Sequence, residues 1–466
     1  MPKPVRMARV ALVAPSASLR AVLARVAASG AVEVDTAPSS QTTPGEAGQR
    51  LRAAPRRPEH AALTVAAPDL DDLERAGRYD LLAGEAEIEE YASAAVRRGS
   101  VAALAGWMPD DRVDGLAAGL ADVGGAVVRL PRPPGAEAPT LLGADHARRP
   151  LTPLVEAYGT VPYADIDPTP LAWASYVLMF GMMFGDVGQG AALLLFAAGM
   201  YARRPRWLGR FHVGWPFVAG AGVASVAFGF LYGECFGPTG LVPVLWLEPL
   251  EEPLTLLAAA LAGGAVLLAG AYALGTVNRW REGGWPVALY APSGIAGTAV
   301  FFGVGVGAFG VYVHHDGLLA VGALIAVTGL ALAFAGFLAE AGGGGTGAVQ
   351  ASVELFDLVI RLGSNFVSFA RLAAFGLTHA ALSLIVWEGT TALWQRGGPI
   401  PMAAAVLTFV LGNALAFALE ALVAAIQAMR LEYYELFSRL FVTQGRPFRP
   451  WHLPVCTEEG VPCPPG

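Results

Sequence analysis

LAWASYVLMFGMMFGDVGQGAALLLFAAGMYA, residues 171–202, carries one charge, Asp186, near its centre. A single helix of that length would run roughly 48 Å, against a hydrocarbon core of about 30 Å. Glycines flank the aspartate, so the chain has a place to turn. The stretch therefore reads as two short apolar helices of about 15 residues joined near Gly185, Asp186, Val187 and Gly188. One long helix is the competing reading, and the charges beyond the stretch bear on the choice. Arg203, Arg204, Arg206 and Arg210 fall in one loop and Arg279 and Arg281 in another, whereas 233–252 is acidic through Glu234, Glu248, Glu251 and Glu252. Arginine-rich loops stay on the cytoplasmic side. A cytoplasmic amino terminus and a cytoplasmic 203–210 loop need an even number of crossings between them, which favours the hairpin.

Further apolar runs follow at 211–232, 253–276, 287–312, 317–340, 349–394 and 400–440. With the hairpin they give about eight transmembrane helices and place both termini in the cytoplasm. The last two runs would be roughly 69 and 61 Å long as single helices, so they must tilt, bend or continue along the surface.

The rest of the chain is a different object. Of 466 residues 55% are hydrophobic and 15% charged, but residues 1–150 hold 18 basic and 19 acidic residues, against 13 and 19 in the remainder. The net charge of −7 argues against nucleic acid as a partner. Arg20 and Arg25 interrupt the place where a signal peptide needs its apolar core. Residues 7–12 and 31–35 read as strands around a helix over 16–28, and 36–60 as a loop or disordered insertion. A helical run is expected near 86–105, a helix over 111–122 and a strand at AVVRLP. No phosphate-binding glycine loop is present in the sequence. The expected domains are thus 1–150, a small cytoplasmic α/β domain; 151–170, a proline-rich linker; 171–440, the membrane domain; and 441–466, a cytoplasmic tail. Cys235, Cys456 and Cys463 are too few for a disulfide framework, and Cys456, Cys463 and His452 lack a fourth zinc ligand. His314, His315 and Asp316 form too small a set for a metal. No cofactor is expected.

Charges inside the apolar half need a reason. An arginine at mid-bilayer costs about 2.5–3.5 kcal/mol on insertion scales, so Arg371 must face protein, water or a mobile counter-charge. Ser364, Arg371 and Thr378 lie at seven-residue steps, with Ser368 and Ala374 between, giving one positive charge on a face of small side chains. Asn413, Glu420 and Gln427 repeat at the same step, with Arg430 three beyond, a polar stripe spanning roughly 25 Å. It suits hydration and proton relay, although Glu420 paired at rest with Arg371 or Arg430 would be a structural explanation. His379, about 12 Å along the helix from Arg371, can border the same cavity. Its ordinary pKa suits proton exchange, but a buried histidine is as often structural.

Three blocks, PYADIDPTPLAWASYVLMFGMMFGDVGQG, FGFLYGECFG and SNFVSFARLAAFGLTHAALS, followed by LEALVAAIQAMRLEYYELFSRLFVTQGRPFRPW, resemble the membrane subunit of V-type and A-type rotary ATPases, subunit a or subunit I. The likeness covers about 160–451, and the amino-terminal part is similar to that family's cytoplasmic α/β pieces. The resemblance implies that Arg371 is the family's indispensable arginine, that His379, Glu420 and Arg430 are its partners in proton translocation, and that Phe184, Gly185 and Asp186 are its turn motif. It further implies a rotor ring of small proteolipid subunits, peripheral-stalk subunits and a central-stalk or rotor-cap subunit as partners, with ATP chemistry left to other subunits. Where the family inserts a long coiled coil, only about 45 residues without heptads separate the opening α/β piece from RYDLLA. The cytoplasmic arm is expected to be severely shortened. A secondary transporter, which calls for inverted repeats not seen in the sequence, and a noncatalytic membrane anchor are the other readings.

Overall fold

The computed structural model describes residues 4–35, 45–56, 58–64, 66–133, 136–142, 151–205, 207–440 and 445–456. Arg206, Cys463 and residues 143–150, the end of the expected α/β domain, lie outside them. The chain divides into two compact units, one built from residues 3–142 with 445–466 and one from 143–444.

In the first unit the strands are β1 (Met7–Pro15), β2 (Glu33–Val34), β3 (Leu63–Thr64), β4 (Val96–Arg98), β5 (Val101–Pro109), β6 (Ala126–Arg129) and β7 (Val455–Cys456). The helices are α1 (Leu19–Ser29), α2 (Glu46–Ala53), α3 (Leu70–Arg75), α4 (Tyr79–Ala94) and α5 (Val113–Ala121). An antiparallel sheet runs β2-β5-β1-β6, with β4 also on β5. Alternation decides which face is buried: Val10, Leu12 and Ala14 of β1 and Ala102, Leu104 and Met108 of β5 meet Val22, Leu23 and Val26 of α1. Each fully buried side chain of this size contributes about 1.5–3 kcal/mol.

Three expectations for this unit change. The helix expected near 86–105 ends at Ala94, and the chain turns through Gly99 and Ser100 into the β4–β5 hairpin. Gly99 takes φ 61°, which a two-residue hairpin turn requires and an alanine-rich pattern conceals. Part of the expected loop at 36–60 is helix α2, whose first-turn amides at Ala47 and Gly48, without partners inside the helix, donate to the Glu89 carboxylate of α4. Finally, residues 445–456 of the segment expected as a cytoplasmic tail pack into the core of this unit. Trp451 donates its backbone N–H to Val32 and its indole N–H to Glu87, its ring lies 4.3 Å from Tyr91, and β7 pairs in parallel with β3. Among the described residues of this unit the longest helix is α4, 16 residues.

The second unit is helical: α6 (Pro153–Tyr158), α7 (Thr169–Met183), α8 (Val187–Tyr201), α9 (Trp215–Tyr232), α10 (Pro253–Tyr290), α11 (Ile295–Tyr312), α12 (Asp316–Glu340), α13 (Gly344–Ser368), α14 (Ala370–Gln395) and α15 (Pro399–Leu431). Among the described residues six helical stretches are long and apolar enough to cross a membrane, the longest being 344–395 and 399–440, and α7 and α8 are two shorter apolar helices. The break in 171–202 is therefore real, and packing sets its direction. Gly220 of α9 abuts Val177 and Trp173, and Gly181 of α7 abuts Ala224, so α7 and α9 run the same way. Val187, Val226 and Leu194 contact Gly229, Gly190 and Gly222 in the opposite order, so α8 runs against α9 and hence against α7. The helix begun at Pro253 continues past the expected 276, kinks at Gly284 (φ 72°) just before Pro286 and takes up residues expected in the next crossing. The long run expected at 349–394 bends at Phe369, which is fully buried against Gly264 of α10.

Candidate functional site

The bend at Phe369 sets the position of Arg371, two residues on. Its side chain is 26% exposed, and its Nη2 donates to Glu435 Oε1 at 3.4 Å, the long end of the hydrogen-bond range. Arg371 Nε, though buried, has no partner. Glu435 lies in a π-helical stretch, Glu432–Phe437, at the end of α15. That wider turn is tied down on both sides, Ser175 of α7 donating to Glu432 at 2.6 Å and Tyr433 to the Leu154 carbonyl at 3.1 Å. Ser364 and Thr378 are exposed and Ser368 half-buried, with the hydroxyls of Ser368 and Thr378 donating to carbonyls four residues back in their own helices. The face is thus small, locally satisfied and open beside one guanidinium.

His379 sits in a different setting, 3% exposed between three elements. Its Nδ1 is 2.5 Å from Glu420 Oε2 of α15, its ring centroid is 4.9 Å from that of Phe184, and its Nε2 is 3.7 Å from Glu234 Oε2. Glu234 reaches it because the α7–α8 turn holds the loop after α9. Asp186 caps α8 through Oδ1, accepting from Gln189 N–H at 2.7 Å, while its Oδ2 accepts from Gly237 N–H at 3.1 Å. Val187 N–H donates to the Glu234 carbonyl at 2.9 Å. Thr378, His379 and Glu420 line a cavity of about 220 Å³ together with Met183, Phe375 and Leu419.

The residues singled out in the sequence thus separate into two groups. His379, Glu420 and Asp186 come together; Arg371 is not among the residues lining their cavity and pairs with Glu435, so neither expected partner, Glu420 paired with Arg371 nor with Arg430, is observed. The reason is reach: Glu420 faces the His379 ring, while the π-helical turn brings Glu435 under Arg371. Of the polar stripe, Asn413 satisfies itself by donating to the Phe409 carbonyl, Gln427 Oε1 is buried without a partner, and Arg430 is exposed. Glu234 and Glu435 are additions. FGFLYGECFG held Glu234 in plain view, but an acidic loop reads as solvated; Glu435 lies where the apolar run gives way to LEYYELF. Of the two cysteines described, Cys235 is free and Cys456 is disulfide-bonded.

Ahead of the spanning helices, Asp165 is fully buried near Arg279 and Glu282, which pair with each other at 2.5 Å. Burial, reinforced by Glu282, pushes the Asp165 carboxyl up to about 7, against the pull of Arg279.

Residues 95–242 match the V-type ATPase 116 kDa subunit family. The chain is 27% identical to the A-type ATP synthase subunit I of Thermococcus kodakarensis over 370 residues, 75% of this chain and 54% of that protein. It is 26% identical to the A-type ATP synthase subunit I of Pyrococcus horikoshii over 392 residues, 80% and 57% respectively. A shorter match, 38% over 174 residues, 34% of this chain and 36% of that protein, is to the V-type ATP synthase subunit I 2 of Treponema pallidum. The chain spans about half the length of the archaeal relatives it matches. With the α/β unit, the broken α7–α8 hairpin and the two longest helical stretches last, the chain is similar to the V-type ATPase 116 kDa subunit family.

Proposed function

We propose that this chain is the stator subunit of the membrane sector of a rotary ATPase, with Arg371 as the fixed charge that meets the rotor-ring carboxylates. What carries the reading is the contrast in solvation at Arg371: a guanidinium in an apolar helix, a quarter exposed, weakly held by one carboxylate and set among Ser364, Ser368 and Thr378. A rotor carboxylate crossing lipid must be protonated, because a bare charge there is costly; opposite Arg371 it can release its proton and stay ionised. The arginine also repels protons, so ions cannot pass straight between the two access paths and must travel around the ring. A membrane potential supplies about 2.3 kcal/mol per charge per 100 mV to drive that circuit.

His379 and Glu420 then serve one access path, with Glu234 extending it beyond the pair, and Asn413, Gln427 and Arg430 lie along the same helix. The family's relatives are named as ATP synthase subunits, which supports rotor-ring, peripheral-stalk and central-stalk partners for this chain as well. Residues 1–150 take the stalk-binding role from the cytoplasmic side, residues 151–170 link them to the membrane domain, and both termini lie in the cytoplasm. In assembled complexes Arg371→Ala and Arg371→Lys should each abolish ATP-driven acidification of vesicles, since lysine lacks the broad guanidinium and loses its proton more readily when buried. Acidification near the wild-type rate in Arg371→Ala complexes would make the static Arg371–Glu435 pair the better account.

A further inference from the structure

Asp186, Glu234 and His379 each aim one ligand-type atom at a common point, the three atoms lying within 4.8 Å of one another and all three residues being buried. Two of those groups are unspent: His379 Nε2 and Glu234 Oε2 are buried without a hydrogen-bond partner, and at 3.7 Å they are too far apart to satisfy each other. Leaving a donor or acceptor unmade in such a place is costly, so something belongs between them. Asp186 Oδ1 and Oδ2 each accept one backbone N–H, which leaves a lone pair on each oxygen. The other face of the imidazole is already oriented, because Nδ1 is held by Glu420 at 2.5 Å. A carboxylate behind a histidine whose far nitrogen is open is the arrangement that steadies metal-ligating histidines.

We infer that Asp186, Glu234 and His379 form a binding site for a divalent transition-metal ion of the zinc class, with Glu420 as the outer carboxylate that fixes the imidazole. Bonds of about 2.0–2.2 Å to one nitrogen and two carboxylate oxygens place tetrahedral ligands about 3.3–3.6 Å apart, so the site closes with small side-chain shifts and keeps a fourth position for water. The ion is not a cofactor of transport here. It occupies the histidine and glutamate of the proposed access path, and that consequence, inhibition of proton flow, rests on the functional reading above.

The full-length protein in lipid nanodiscs, titrated with cobalt(II), should take up one ion per chain with the visible absorption of a four-coordinate nitrogen–oxygen site, and zinc should displace it. Glu234→Gln should weaken binding at least tenfold. Glu420→Gln, which leaves all three ligands in place, should weaken it by about 10–100-fold, as loss of an outer-sphere partner does. Absence of the cobalt band in wild type, or unchanged affinity in a folded Glu234→Gln or Glu420→Gln protein, would overturn the site. Zinc should also slow ATP-driven proton uptake by the assembled complex. Cobalt binding without any zinc effect on uptake would leave the site standing and count against the access path instead.

Discussion

Arg371 and His379 are charged or chargeable side chains two turns apart on α14, and the protein treats them in opposite ways. His379 is buried, 3% exposed, and gripped at 2.5 Å by Glu420. Arg371 is a quarter exposed, touches Glu435 only at 3.4 Å, and keeps its Nε unpaired. On the function proposed above, the tightly held buried group exchanges protons with fixed neighbours, and the loosely held one takes a partner from outside the chain. The difference teaches that helical spacing alone groups residues too generously. Residues eight apart lie on neighbouring faces, but which carboxylate each one finds depends on the helix opposite.

The sharpest way to break that contrast is at Arg371, where removal should take proton transport to background while leaving assembly intact. At the buried position the effect should be smaller. Glu420→Gln keeps shape and hydrogen bonding and removes the exchangeable charge, so it should slow proton uptake by about 100-fold, the low end of what a positioned proton-transfer group contributes. Normal uptake in the fraction of Glu420→Gln complexes that assemble, with most failing to assemble, would mark His379–Glu420 as structural.

A third change acts on neither charge. Gly264 faces the Phe369 ring so closely that a Cβ there would lie 2.3 Å from Phe369 Cγ. Gly264→Val should push the bend aside, cost about 1–3 kcal/mol through overpacking, and shift Arg371 without touching it. Reduced transport with a lowered melting temperature is the expected pair of results, and a fully active complex would show that the bend does not position the arginine.

The smallest effect lies outside the spanning helices. Asp165 binds its proton more tightly folded than unfolded, its carboxyl being pushed up to about 7 from an ordinary value near 4. The folded state therefore holds more protons across that interval, and stability should fall as pH rises from about 4 to 7, then level off. Asp165→Asn should flatten the slope of melting temperature against pH in this window. An unchanged slope would show that Asp165 does not titrate there.

Much of this was legible in the residues. Length against bilayer thickness exposed the break in 171–202, and the cost of burying charge singled out Arg371, His379 and Glu420. What stayed hidden depended on tertiary contacts. Glu234 sits among Glu248, Glu251 and Glu252, and only the backbone ties from Asp186 to Gly237 and from Val187 to Glu234 bring it inward. Glu435 needed a π-helical turn, which leaves no mark on apolar periodicity. In the first unit, the alanines around Gly99 disguised a hairpin as a helix, and the helix at 46–53 is stabilised by Glu89, more than forty residues away in sequence.

The loosely held arginine is tested most directly by a single-particle map of the native complex. A ring of small helical subunits should lie against the face carrying Ser364, Arg371 and Thr378, with a rotor carboxylate within reach of the guanidinium. A map in which lipid or a static subunit covers that face, and Arg371 contacts Glu435 alone in every rotary state, would contradict it.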